Sequence, residues 1–387
     1  MTHVVTRSSR ADRARTDRHG TALVAVLAAL VVATLAATAA AALGRTLQAD
    51  ARGAAAVLRA RTSAEGALAA VLASWPGPWT TTLTPGSSDA RVVSSSAGTA
   101  TVRALRLDPR RYLLTAEAAS AALAGPVGPA VRRVGVFAQL ENVAYEAPTA
   151  LVAAGPVTLG VDTEVRAADA APPGWTDCVA TPDVSNTAAV AAPSLRLSTT
   201  SRVLGPVLTA ASAWSAPIPE RFGDVDRGAL AARADIVLSA GGLITPIPRA
   251  APGTEPACVR DRTSWGEPFR GLSAVAACTS DYPVIYLRGT GSTTLRGPAR
   301  FQGTLLVDGS LDLIGRVDVA GLVVIGGTLR GSTGALVVDG ALLVRGDGAS
   351  LGTGSRVRRS RCALDRAAAA ASRPVPMTRR AWVDVVR

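Results

Sequence analysis

Residues 1–20 are polar and arginine-rich and end at Gly20, and 23 residues without a single charge, Thr21 to Leu43, follow them. An apolar stretch of this length predicts a helix that crosses a hydrocarbon core of about 30 Å. Arg7, Arg10, Arg13, Arg15 and Arg18 predict that its start stays on the cytoplasmic side and the bulk of the chain lies outside. The rival is a secretory signal peptide, whose apolar core normally runs only about 7–15 residues before a small-residue cleavage site; Ala40 to Ala42 offer such a match. Helical character continues past Leu43, interrupted only by Gly44, Gly53 and Gly66, until Trp75-Pro76-Gly77-Pro78-Trp79. The pattern therefore predicts one helix from Thr21 to about Ser74, roughly 80 Å long at 1.5 Å per residue. In its exported part, residues 44–75, Val57, Ala64, Leu68, Val71 and Trp75 share one face, while Arg52, Arg59, Arg61 and Glu65 fall elsewhere. One helix is thus expected to span the membrane and dock a folded domain.

From residue 80 to 147 the period changes to strict alternation, as in Thr101 to Leu107 and Arg111 to Thr115 around Pro109, with Val134 to Leu140 as a further run. This predicts a small antiparallel β-sheet whose apolar face the outer half of the long helix covers. Farther on, Gly303 to Gly309, Gly321 to Gly327 and Gly340 to Gly346 are glycine-bounded apolar strands starting 18 and 19 residues apart, and Pro283 to Gly289 precedes them by 20. Such recurrence predicts a β-solenoid over residues 241–362, with about 18–20 residues and three short strands per turn and glycines at the corners. The alternative is a meander of hairpins turning at Asp308-Gly309 and Asp339-Gly340. A weaker match at Thr149 to Gly155 predicts a first solenoid turn within 148–240. That region would also carry a long excursion, Asn186 to Pro217, and a short helix between Pro219 and Ala234. Ala363 to Ser372 reads as a C-terminal helix closed by Pro374, leaving 363–387 as a helix and a tail carrying Trp382.

All 41 basic residues are arginines, and the net charge is +12. A basic exported chain can adhere to anionic wall polymers or DNA, but these arginines are scattered and no aromatic-interleaved basic stripe marks specific nucleic-acid binding. Both histidines, His3 and His19, lie in the leader, so the exported part has neither histidine nor lysine. That excludes Ser-His-Asp and Cys-His hydrolases, most zinc sites and lysine-based phosphate loops. No cofactor or metal is expected. Carboxylate-pair catalysis is the surviving chemistry, with Asp308, Asp312, Asp318 and Asp339 as candidates, although aspartates beside glycines are commonly turn formers. Cys178, Cys258, Cys278 and Cys362 form no CxxC pair and all lie on the exported side, which predicts two disulfides rather than free thiols. Of three possible pairings, Cys258–Cys278 closes a short loop around Trp265-Gly266-Glu267-Pro268 and leaves Cys178–Cys362 to tie the early exported region to the C-terminus.

The leader ending in Gly20, the run Thr21-Ala22-Leu23-Val24-Ala25-Val26-Leu27 and the helix closing with Ala64-Glu65-Gly66-Ala67-Leu68 resemble the N-terminal region of PilX-type minor pilins and of the related pseudopilin K of type II secretion. The loop with Trp265-Gly266-Glu267-Pro268, the segment Tyr282 to Tyr286, the glycine-cornered strands and the Cys362 helix with its Trp-containing tail are similar to the exported domain of PilX-like pilus assembly proteins. The resemblance implies cleavage by a prepilin peptidase after Gly20, with Thr21 as the new N-terminus. It also implies partnership with other pilin subunits and the assembly machinery. Most major pilins carry glutamate five residues into the mature chain; here that place is Ala25, a departure shared by the pseudopilin K group. The expectation is an α+β, non-enzymatic, single-pass membrane protein that acts as a structural component of a type IV pilus-like fibre. A surface-anchored solenoid that binds a polysaccharide or wall polymer is the alternative. A β-helical polysaccharide-cleaving enzyme, which requires a carboxylate cluster on one solenoid face, is third.

Overall fold

The computed structural model describes residues 13–120, 129–146, 149–180, 188–209, 219–253, 256–271, 274–377 and 382–384. Arg7, Arg10, Asp12 and His3 lie outside them, as do parts of the Asn186 to Pro217 segment.

The chain mixes helix and sheet, beginning with a long apolar helix. Helix α1 is continuous from Arg13 to Ala73 and ends where Pro76 forbids a further turn; α2 (Gly77–Thr81) follows. The outer half of α1 buries Ala56, Ala60, Ala64, Ala67, Leu68 and Val71, so Val57 sits at the edge of the stripe. Alanine at most of these positions lets the helix approach closely the sheet formed by β1 (Ser88–Ser95), β2 (Gly98–Arg106), β3 (Arg111–Ala119) and β4 (Val131–Glu141), an antiparallel series in chain order. The tip of the first hairpin rests on the helix: Ser63 Oγ donates to the Ala97 carbonyl at 2.7 Å, and a Cβ at Gly66 would lie 3.0 Å from Ala97 Cβ. Trp75 packs edge-on against Trp79 and Tyr112, each at 5.1 Å, and closes this core.

The second sheet is built by β5 (Thr149–Ala153), β6 (Val157–Leu159), β7 (Glu164–Arg166), β8 (Ala188–Ala191), β9 (Leu195–Leu197), β10 (Arg202–Leu204) and β11 (Val207–Leu208). A small hairpin, β12 (Arg221–Phe222) with β13 (Val225–Asp226), and helix α3 (Arg227–Ala232) intervene. The sheet continues through β14 (Ile236–Ser239), β15 (Leu243–Ile244), β16 (Val284–Arg288), β17 (Thr293–Arg296), β18 (Ala299–Val307), β19 (Leu311–Ile325), β20 (Leu329–Val344), β21 (Ala349–Leu351) and β22 (Arg356–Arg359). Sixteen strands of the described residues join it, and every pairing is parallel, which rules out the hairpin meander. The sheet curls until it nearly closes, barrel-like, around one apolar core. Ile285, Leu305, Val323 and Leu342 occupy successive register positions in that core.

Chain order and spatial order differ. The strands from Thr149 to Leu208 step away from the β20 edge, to which β5 is joined by Leu342↔Leu151. The chain then crosses to β14 at the opposite end and works back through β16, β18 and β19 to β20. Strands late in the chain therefore pair with the earliest strands of this sheet, and the segment read as a long excursion contributes β8 to β11 to the sheet, a correction caused by strands only two to four residues long. Glycine columns permit the corners: Gly303, Gly321 and Gly340 stand in register with φ of +108°, +133° and +151°, and a Cβ at Gly321 would meet the Gly303 carbonyl at 2.0 Å.

Helix α4 (Arg361–Ala371), capped by Ser360 accepting from the Ala363 amide, covers the outward residues Leu306, Leu322, Val324 and Leu343 together with α3. The tail does more than trail: β23 (Arg373–Pro376) and β24 (Trp382–Asp384) pair antiparallel with β4 and complete the first sheet.

Candidate functional site

The functional candidate with the largest exposed apolar surface is the first half of α1. Leu23, Val24, Leu27, Leu30, Val31 and Leu35 are all more than half exposed. Among the described residues this helix alone is long and apolar enough to cross a membrane, and none of its most apolar window is buried. The threonines within and just after the uncharged run bond back to the helix's own backbone: Thr34 Oγ1 donates to the Leu30 carbonyl at 3.0 Å, Thr38 to Thr34 at 3.0 Å, and Thr46 to Leu43 at 2.8 Å. A helix in an apolar medium needs that self-sufficiency. Gly20 and Thr21 fall within α1 at the start of the uncharged run, and Ala25 lies in its exposed part.

The four aspartates do not converge on one site. Asp308, at the corner after β18, accepts from Tyr286 Oη at 2.5 Å, Arg227 at 2.7 Å and the Gly289 amide at 3.2 Å. Burial opposes its ionisation, but these donors outweigh burial and hold its carboxyl below the usual range. Asp312, facing outward elsewhere on the sheet, accepts from Ser292 at 2.5 Å and lies 3.5 Å from Arg330. Asp318 and Asp339 are not turn residues; they lie inside β19 and β20, point away from the core and share one face. Asp318 pairs with Arg316 at 2.7 Å and Asp339 with Arg358 at 2.6 Å. Burial pushes the Asp339 carboxyl up to about 6 despite that partner, and the charge of Asp318 adds to the rise. Two carboxylates on one face meet only part of the requirement for acid–base work, since each is tied to its own arginine and both residues are at least nine-tenths buried. No group of three metal-binding side chains occurs among the described residues.

The cysteines pair as Cys258–Cys278 and Cys178–Cys362. The loop they frame is a packing device. Trp265 and Glu267 are fully buried; the Glu267 carboxylate accepts from the Phe269 and Val275 amides at 3.1 Å each and pairs with Arg300 at 3.0 Å. Beside the second disulfide, Arg270 and Arg366 stack on the Trp175 ring at 4.3 and 4.9 Å. Sequence reasoning passed over Trp175 and Gln302, whose amide donates to the carbonyls of Cys278, Thr279 and Asp281; an isolated tryptophan in a proline-rich loop was the one visible signal. A cavity of about 390 Å³ lies against the outer side of the parallel sheet, lined by Tyr145, Arg221, Phe222, Leu322 and Leu343. Burial raises the Tyr145 phenol, which shares a 2.7 Å hydrogen bond with Thr304.

No family model matches this chain, and neither a curated protein nor a solved structure matches it.

Proposed function

We propose that this chain is a membrane-anchored, non-enzymatic minor pilin or pilus-assembly component of a type IV pilus-like system, processed after Gly20. The observation that carries the reading is the division of α1. One unbroken helix exposes apolar side chains along its first half and buries a small-residue face against an antiparallel sheet along its second. A helix so divided serves as a membrane anchor before assembly and as a fibre-core element afterwards, because moving it from lipid into a bundle of like helices exchanges one apolar surrounding for another. The arginines before it favour a cytoplasmic start, and in this reading both sheets lie outside the membrane. In this reading the parallel sheet is a solenoid with about 18–20 residues per turn, displayed outward. The register Leu305↔Val323↔Leu342 and the glycine columns at its corners support that winding.

The test is processing. In cells with an active prepilin peptidase, intact-mass measurement of the membrane-extracted protein is expected to give a chain beginning at Thr21, and Gly20→Ala is expected to hinder the cut. A native chain retaining Met1 overturns the reading. A surface-anchored polymer-binding protein is the second reading, favoured by outer sheet surface that no helix or loop among the described residues covers.

A further inference from the structure

The parallel sheet gathers arginines that are far apart in the sequence. On the strands β22, β7 and β10 the side chains of Val357 and Val165 enter the core and Val203 packs against it, so their neighbours face outward. The register then sets Arg356, Glu164 and Arg202 in one row, and Arg358, Arg166 and Leu204 in the next. Arg196, on β9 of the adjoining ladder, extends the surface. Arg166, Arg196, Arg202 and Arg356 are all exposed and, among the described residues, none has an ion pair or side-chain hydrogen bond. The same face behaves differently toward β18, where Arg300 pairs with Glu267, and Arg358 on β22 pairs with Asp339. The fold thus uses some of its arginines internally and leaves this group free, with Glu164 and the turn residue Asp162 as the nearby acidic groups.

We propose that this surface docks a linear polyol-phosphate polymer of a cell surface. The partner must be anionic, because an excess of unpaired guanidiniums in a fixed array is complementary to repeated negative charge, and guanidinium geometry matches phosphate oxygens. It must be polyvalent, because the arginines stand on an open face, where single exposed ion pairs contribute little. It must be slender: two strand steps of about 4.8 Å put Arg356 and Arg202 only about 10 Å apart, a track for one chain. Hydroxyls at Thr158 and Ser350 on the adjoining ladder supply partners for polyol oxygens. The inference is independent of the pilin reading, since binding is a property of the purified chain whether or not Gly20 is cut.

The experiment measures binding of the full chain in detergent micelles to purified poly(glycerol phosphate), with neutral dextran and duplex DNA as comparisons. Binding to poly(glycerol phosphate) but not dextran is expected. Arg166→Gln/Arg202→Gln/Arg356→Gln is expected to weaken it about tenfold or more and to flatten its log–log salt dependence by about 2, as for the loss of three contacts to a single-stranded polyanion. The control Arg103→Gln/Arg132→Gln/Arg262→Gln removes the same charge from exposed positions elsewhere and is expected to bind as the parent does. Equal losses in the two triple variants would reduce the effect to net charge and overturn the proposal. Absence of binding overturns it as well, and tighter binding to duplex DNA replaces it with nucleic-acid recognition.

Discussion

Along β2 and β3 buried and exposed positions alternate, whereas through the second half of β19 nine consecutive residues, Val317 to Ile325, are all buried. The first sheet is apolar on the side facing α1 and open on the other. In the second, Leu305, Val323 and Ile325 fill the interior while Leu306, Leu322 and Val324 pack outward under α4 and α3. A face open to water tolerates charge at every second residue, whereas a strand covered on both sides holds charge only where a partner meets it, as Arg316 meets Asp318 and Arg358 meets Asp339. The two sheets therefore differ most in their response to substitution.

The largest expected effect tests that contrast directly. Val323→Asp puts a carboxylate without a partner into the parallel core, where it costs several kcal/mol. Val92→Asp on β1, at a position 73% exposed, is expected to change stability by less than about 1 kcal/mol. Urea unfolding of both variants decides the matter; similar midpoints would mean that the parallel register is wrong. Gly321→Ala belongs with the severe class, because its Cβ would collide with backbone rather than with a movable side chain.

The disulfides are the next step down. Cys258–Cys278 closes 20 residues within one region, whereas Cys178–Cys362 closes 184 and ties the loop after β7 to the first turn of α4. In the chain-entropy model these closures are worth about 3 and about 5 kcal/mol. The Cys178→Ser/Cys362→Ser pair is accordingly expected to lower stability more than Cys258→Ser/Cys278→Ser does. The reverse order would show that the parallel pairing of β22 with β7 already holds those ends together in the unfolded ensemble.

Much of this architecture is legible in the sequence because its signals are local. The charge-free run, the alternation in residues 80–147 and the glycine-bounded apolar strands each need only a short window. What escaped depends on distant partners. β8, Ala188–Ala191, has no strand signature of its own and is held by pairing with β5 and β11. β23 contains Pro374 and Pro376, which argue against a strand, yet it lies at the sheet's edge, where a missing amide is harmless. Asp318 and Asp339 resemble turn residues because glycines stand close by, Gly315 and Gly321 about Asp318 and Gly340 after Asp339; the neighbouring strands that bury them are invisible from there. The same limit hid the arginine surface, whose members come from residues 166, 196, 202 and 356.

A smaller effect is expected from pH at one carboxylate of the parallel sheet. The folded carboxyl of Asp339 titrates near 6 rather than at its ordinary 3.8, so folding binds a proton more tightly than the unfolded chain does. Its contribution is fully present below about pH 4 and is lost as pH rises through about 6, a change of no more than about 3 kcal/mol. Asp339→Asn removes the titration. The variant's stability relative to the parent is therefore expected to rise between pH 4 and 7.5. A difference that is flat across that range would mean that Arg358 fully compensates the buried charge.

The smallest effect is expected at Arg330, which sits on β20 within the same sheet as Val323 but points outward with 58% of its side chain exposed. Among the described residues it pairs with Asp312, at 3.5 Å on the adjacent strand, and an exposed pair at that distance contributes at most about 1 kcal/mol. Arg330→Asp removes the pair and sets two carboxylates side by side, so a shift within about 1 kcal/mol is expected, relieved by salt because water screens both charges. The comparison with Val323→Asp is then between two aspartates introduced into neighbouring strands of one sheet, one on its outer face near the start of β20 and one on its inner face near the end of β19. If Arg330→Asp unfolds the protein as Val323→Asp does, the inside and outside of this sheet have been assigned the wrong way round.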